Sequence, residues 1–100
     1  MCQVFAPFNI MIYNCAMNKY VYFAQRESDK LIKIGFSTHI PERMKYLRSK
    51  NGRMKLLGLI KSSTMKDETA VHRRFADCRV TGEWFTPSPD LMTFINEYAK

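Results

Sequence analysis

Four side chains of this sequence have types and an order that could do chemistry together: Tyr22, Lys33, Arg43 and Glu68. Tyr22 closes the run Tyr20-Val21-Tyr22, and Lys33 opens the run Lys33-Ile34-Gly35. Arg43 lies in a basic stretch, and Glu68 stands near the start of a later acidic one. A guanidinium grips two phosphate oxygens at once. A carboxylate can hold a hard divalent cation that keeps most of its water. Tyrosine and lysine can orient or activate water when neighbouring charges tune them. In a small basic chain this set suits chemistry on a phosphodiester. Taken singly, each residue has a plainer reading. Tyr22 is then a strand tyrosine and Lys33 a solvated strand lysine. Arg43 pairs with Glu42 or covers apolar surface with its stem, and Glu68 serves a helix dipole. The ordered set carries the reading that no member carries alone.

The elements that must position these groups follow from periodicity. Residues 19–25 (KYVYFAQ) and 30–36 (KLIKIGF) are rich in aromatic and β-branched side chains, and a polar turn at 26–29 joins them. They read as an antiparallel hairpin. Alternation puts Val21, Phe23, Ile32 and Ile34 toward a core. Tyr22 and Lys33 then share the outer surface, where Gly35 leaves room for a close approach to the backbone. Ser37 or Thr38 can cap a helix with Pro41 in its first turn. Ile40, Met44 and Leu47 form its apolar stripe, with Arg43 at the edge, and Asn51-Gly52 stops it. Residues 53–61 read as a third strand. A second helix is expected from about residue 65 to 78, with Val71, Phe75 and Cys78 inward, Glu68 on or beside that face and His72 on the surface. Residues 82–85 form a turn and short strand, with Trp84 and Phe85 in the core. Ser88 and Pro89 begin a last helix, whose apolar side chains are Leu91, Phe94, Ile95 and Tyr98.

One hundred residues make one domain. With 46% hydrophobic and 25% charged residues, the composition is globular rather than disordered. The net charge of +7 is concentrated in residues 42–55, where Arg43, Lys45, Arg48, Lys50, Arg53 and Lys55 face one acid, Glu42. Such a patch displaces counterions from nucleic acid, and Lys45, Arg48, Lys50 and Arg53 are its candidate phosphate contacts. The plainer reading is a solvated helix face. The stretch lacks the broad aromatic face of a membrane-binding helix. Cys2, Cys15 and Cys78 form no C-x-x-C pair and no even set, which fits a reducing cytoplasm better than a disulfide framework. Residues 1–18 carry no charge. They lack the positive start of a signal peptide and the continuous apolar length of a membrane span. They read as an N-terminal extension, with Met17 as an alternative start, preceding a domain at 19–100.

Tyr20-Val21-Tyr22, Lys33-Ile34-Gly35, Arg43 on the following helix and Glu68 on a later one resemble the GIY-YIG nuclease superfamily. The stretch from Asp67 to Phe75, followed by Gly82-Glu83-Trp84-Phe85, is similar to its short phage and bacterial branch. The resemblance implies a small α/β (α+β) fold, a three-stranded antiparallel sheet flanked by helices. It also implies hydrolysis of DNA phosphodiesters with Mg²⁺ or Mn²⁺, in a bacterial or phage-infected cytoplasm. Tyr22 matches the tyrosine that acts as base or orienter for the attacking water, and Lys33 stands where a second tyrosine is usual. Arg43 matches the phosphate-stabilising arginine and Glu68 the metal-binding glutamate. Bringing a tyrosine from its free value of about 10 to about 7 takes roughly 4 kcal/mol of preferential phenolate stabilisation. An adjacent ammonium such as Lys33, together with the metal, is a neighbour that could supply part of it. The chain departs from the pattern at Tyr20 (a glycine in the family) and Leu47 (often histidine), and the late asparagine has only Glu83 near its place. The alternatives are a catalytically silent nucleic-acid-binding module on the same fold and a protein-interaction domain docking through the N-terminal apolar segment. No reader module is attached, so target choice would come from a homodimer, a specificity-conferring partner or DNA structure.

Overall fold

The computed structural model describes residues 19–62 and 64–99; residues 1–18, with Cys2 and Cys15, lie outside them. The hairpin forms as expected from β1 (Lys19–Arg26) and β2 (Ile32–Ser37). Arg26 closes its turn by donating Nε and Nη2 to the two Asp29 carboxylate oxygens at 3.0 and 2.7 Å. Helix α1 (Ile40–Asn51) and β3 (Met54–Ser62) follow, then helix α2 (Lys66–Arg74). A 3₁₀ turn (Ala76–Cys78) leads into β4 (Arg79–Thr81) and β5 (Trp84–Phe85), and helix α3 (Pro89–Tyr98) ends the chain.

The sheet is antiparallel throughout, in the order β3-β1-β2-β5-β4. The three expected strands lie side by side with β3 at one edge, and two short strands extend the sheet beyond β2. The extension depends on Gly82, whose φ of 52° lets β4 fold back on β5. Because β1 is central, both of its faces are covered. Val21 and Phe23 join Ile32, Ile34, Val71, Phe75, Phe85, Leu91 and Ile95 in one core, under α2 and α3. Tyr22 and Ala24 join Met44, Leu47 and Met54 in a second core, under α1. Each fully buried Phe, Ile or Leu contributes about 1.5–3 kcal/mol, so the two faces together hold a small domain rigid.

Several local readings change. Helix α1 has no side-chain cap; Ser37 Oγ accepts the His39 N–H at 3.0 Å and braces the chain just before the helix. Helix α2 stops at Arg74, four residues early, because Phe75 leaves helical geometry (φ −108°, ψ 26°) to set its ring against Phe94 at 5.2 Å. Ser88 caps α3 as expected, accepting the Leu91 N–H at 3.2 Å. Tyr98 leaves the apolar stripe of α3 and stays exposed beside Phe94. Phe85 is core, but Trp84 is only half-buried; the Arg26 guanidinium covers its ring at 4.1 Å.

Candidate active site

The candidate residues meet at the edge of β2, where its partner β5 runs out. Strand β5 pairs with Ile32 and Lys33 only. The Glu83 carbonyl then accepts the Ile34 N–H at 3.0 Å. The Ile34 carbonyl lies 2.8 Å from His72 Nε2. A carbonyl can only accept, so Nε2 carries the proton and donates. This bond ties the α2 face bearing Glu68 to the strand edge from one side of the sheet. Helix α1 brings Arg43 from the other side.

Tyr22 reaches the same place from the neighbouring strand, and Gly35 is what lets it. The two residues are opposite each other in the β1–β2 register. A Cβ on Gly35 would sit 2.4 Å from the Tyr22 Cζ and hydroxyl oxygen, closer than atoms can pack. The space expected at Gly35 therefore receives the chain's own tyrosine ring. Lys33 opposes Ala24 two residues along, so Tyr22 and Lys33 do share a face. That face is not open: α1 covers it, and Tyr22 is 1% exposed.

The charges pair differently from expectation. Lys33 Nζ is 2.9 Å from Glu83 Oε1 and 5.4 Å from the Trp84 ring centroid. It neutralises a carboxylate rather than a phenolate. The cation whose charge acts on the Tyr22 hydroxyl is Arg43, which favours the phenolate. Burial nevertheless pushes the phenol up to about 12, and the nearby Glu83 and Glu68 charges add to the rise. Tyr22 is thus a neutral phenol at ordinary pH. Bringing it from about 12 to about 7 would take roughly 7 kcal/mol.

Glu68 is 6% exposed, unusually deep for a carboxylate. Burial holds its pKa above the usual range, and the Glu83 carboxyl within hydrogen-bonding reach raises it further; His72 and Lys33 act the other way. His72 Nε2 lies 3.8 Å from Glu68 Oε2. The pair of carboxyls is short of positive charge, an arrangement a divalent cation relieves. Among the described residues no three His, Cys, Asp or Glu side chains are grouped to share a metal. The site therefore fits an ion that takes one or two carboxylates and fills its shell with water and substrate oxygens, as Mg²⁺ or Mn²⁺ does.

Two residues of this cluster were not assigned from the sequence. His72 was expected on the surface, yet its ring touches Phe85 at 5.1 Å and bonds the β2 edge. Its position four residues after Glu68 was the available signal. Glu83 stands near the place of the family's late asparagine; it lies between Lys33 and Glu68 because the Gly82 turn aims it there.

The four candidate phosphate contacts do not form one patch. Lys50 shares an edge of α1 with Arg43 and Tyr46, whose ring lies 5.7 Å from Lys50 Nζ and 6.0 Å from the Arg43 guanidinium. Arg48 turns the other way, donating Nε to the Met54 carbonyl at 3.3 Å. With Arg53, Lys30 and Lys55 it lines a separate cleft of about 390 Å³ beside β3. Lys45 lies exposed on the outside of the helix.

A family model, the T5orf172 domain, matches residues 19–97. The chain belongs to the T5orf172 family. This is a phage-associated domain related to nuclease-like folds. The matched span contains every residue of the cluster, from Tyr22 to Glu83. Comparison with curated proteins found no match, and comparison with solved structures found none either. No helix among the described residues of this T5orf172 domain is long and apolar enough to cross a membrane.

Proposed function

We propose that this T5orf172 domain is a GIY-YIG-type endonuclease that hydrolyses DNA phosphodiesters with a divalent cation. The observation that supports this best is the meeting, at one strand edge, of the buried Glu68 carboxyl with the Lys33–Glu83 ion pair, beside the Tyr22 ring that Gly35 admits. Glu68 holds the metal, with Glu83 beside it. When bound, the cation supplies Lewis-acid polarisation of the phosphoryl group and stabilises the leaving oxygen. Arg43, carried over Tyr22 by α1, donates to the phosphate oxygens whose charge grows in the transition state. Tyr22 enters as a phenol, so its part is to orient the attacking water rather than to deprotonate it. Lys33 holds Glu83 in place and keeps positive charge beside the phosphate. Lys50 and Lys45 steer the DNA backbone toward Arg43.

The deciding experiment is nicking of supercoiled plasmid by wild type and Glu68→Ala, with and without Mg²⁺. Relaxed circles should form only with wild type and metal. DNA binding that survives chelator, with no nicking under any divalent metal, would instead favour a catalytically silent binding module on the same fold.

A further inference from the structure

Beside the candidate active site, between the end of β2 and the start of α1, lies an open cleft of about 650 Å³. Its volume is within the range of small-molecule pockets, about 300–1,000 Å³. Phe36 and Tyr46 supply aromatic surface, and Ser37, Thr38 and His39 supply hydroxyl and imidazole groups. Arg43 lines it too, so one guanidinium serves both this cleft and Tyr22. Tyr46 is 54% exposed although it is a large aromatic side chain, and Arg43 and Lys50 flank its ring.

We propose that this cleft is a nucleobase subsite, in which Tyr46 stacks on an unpaired base adjoining the phosphate held by Arg43. The proposal rests on the phosphodiester reading and adds to it a preference for single-stranded or locally unpaired DNA. An exposed aromatic face between two cations is the arrangement that binds single strands: the cations track the backbone and the ring takes a base of any sequence. Paired bases present their edges, not their faces, so a stacked duplex cannot use the ring. The hydroxyls and imidazole at the cleft rim can meet the edge of a base whose face lies on Tyr46. Among the described residues Glu42 is the one acid on the rim, and it disfavours a second phosphate there.

The test is fluorescence anisotropy with the full chain in chelator, using a labelled single-stranded oligonucleotide and the duplex of the same sequence. The variants are Tyr46→Ala and Tyr46→Phe. Tyr46 is exposed, and thermal melting checks that both variants fold. Tyr46→Ala should weaken single-strand binding about 5- to 150-fold, the range of base–aromatic stacking. Duplex binding should change by less than about twofold, and Tyr46→Phe should behave as wild type. Equal losses for single strand and duplex, an unchanged single strand, or a Tyr46→Phe as weak as Tyr46→Ala would each overturn the subsite. The two readings fail separately. Nicking without a Tyr46 effect removes the subsite and keeps the nuclease; a Tyr46 effect without nicking keeps the subsite and removes the nuclease.

Discussion

At the scale of single residues, the site is ordered by which charge is left unbalanced. Lys33 settles on Glu83, Arg43 puts its charge near Tyr22, and Glu68 is left buried with a carboxyl for a neighbour. Folding therefore favours the protonated form of Glu68, whose pKa is raised. The stability this contributes is present below the unfolded-state value and is lost as pH rises through the folded-state value. Glu68→Gln should accordingly melt higher than wild type at neutral pH in chelator, while losing Mg²⁺-dependent nicking. About 1 kcal/mol moves the midpoint of a domain this size by roughly 4–8 °C. The gain should fade toward acid, where both side chains are neutral. A variant that melts lower at pH 7 would mean the fold stabilises the Glu68 anion. Tyr22→Phe tests the phenol. It removes one hydroxyl from a ring that stays packed, so DNA binding should hold while the nicking rate falls about 10²-fold, the cost of a misplaced water. An undiminished rate would take Tyr22 out of the reaction. Because the Tyr22 pKa is about 12, the neutral phenol is present throughout pH 6–9. The pH profile of nicking should then show no step from this group in that window.

At the scale of elements, the site depends on two adjacent strands passing close together. Tyr22 crosses β2 only because Gly35 has no side chain. Gly35→Ala should destabilise the domain by about 1–3 kcal/mol in denaturant melts, and nicking should fall with it, since the ring must move. Pairing it with Tyr22→Leu shortens the side chain that clashes. The double variant should then lose less stability than the two single losses added together, while remaining inactive. Simple additivity would mean that the ring and the glycine do not interact. The elements also show how far the sequence could be read. Hairpin, helix, strand, helix and last helix were all legible, because period-two and i, i+4 patterns record which side of each element is buried. Helix α2 was drawn too long because its apolar spacing runs on through Phe75 and Cys78 after the backbone has left the helix. Strands β4 and β5 are too short to show a period, so their addition to the sheet was not legible.

At the scale of the whole molecule, the cations of the basic stretch 43–55 divide between two regions. One runs along the α1 edge from Arg43 to Lys50, and the other lines the cleft with Arg48, Arg53 and Lys55. Each cation that touches DNA phosphate adds about 0.9 to the slope of log affinity against log salt. Lys45→Ala/Lys50→Ala should reduce that slope by nearly 2. Arg53→Ala/Lys55→Ala should change it by less than about 0.5 if the backbone follows the Arg43 edge. A larger effect from the second pair would move the DNA path to the β3 side.

The sequence by itself determined the order of the main elements and the basic balance, and its resemblance to a known family singled out Tyr22, Lys33, Arg43 and Glu68. Element order and charge balance are properties of composition and of local periods, which any stretch of chain displays without its neighbours. Only the tertiary structure decided how the charges pair. Lys33 turned to Glu83, His72 turned inward to the Ile34 carbonyl, and Tyr22 went under α1 instead of onto an open face. Such pairings depend on distances between elements far apart in the chain, and on how much water packing excludes from them. Neither is written in the spacing of residues along a single strand or helix.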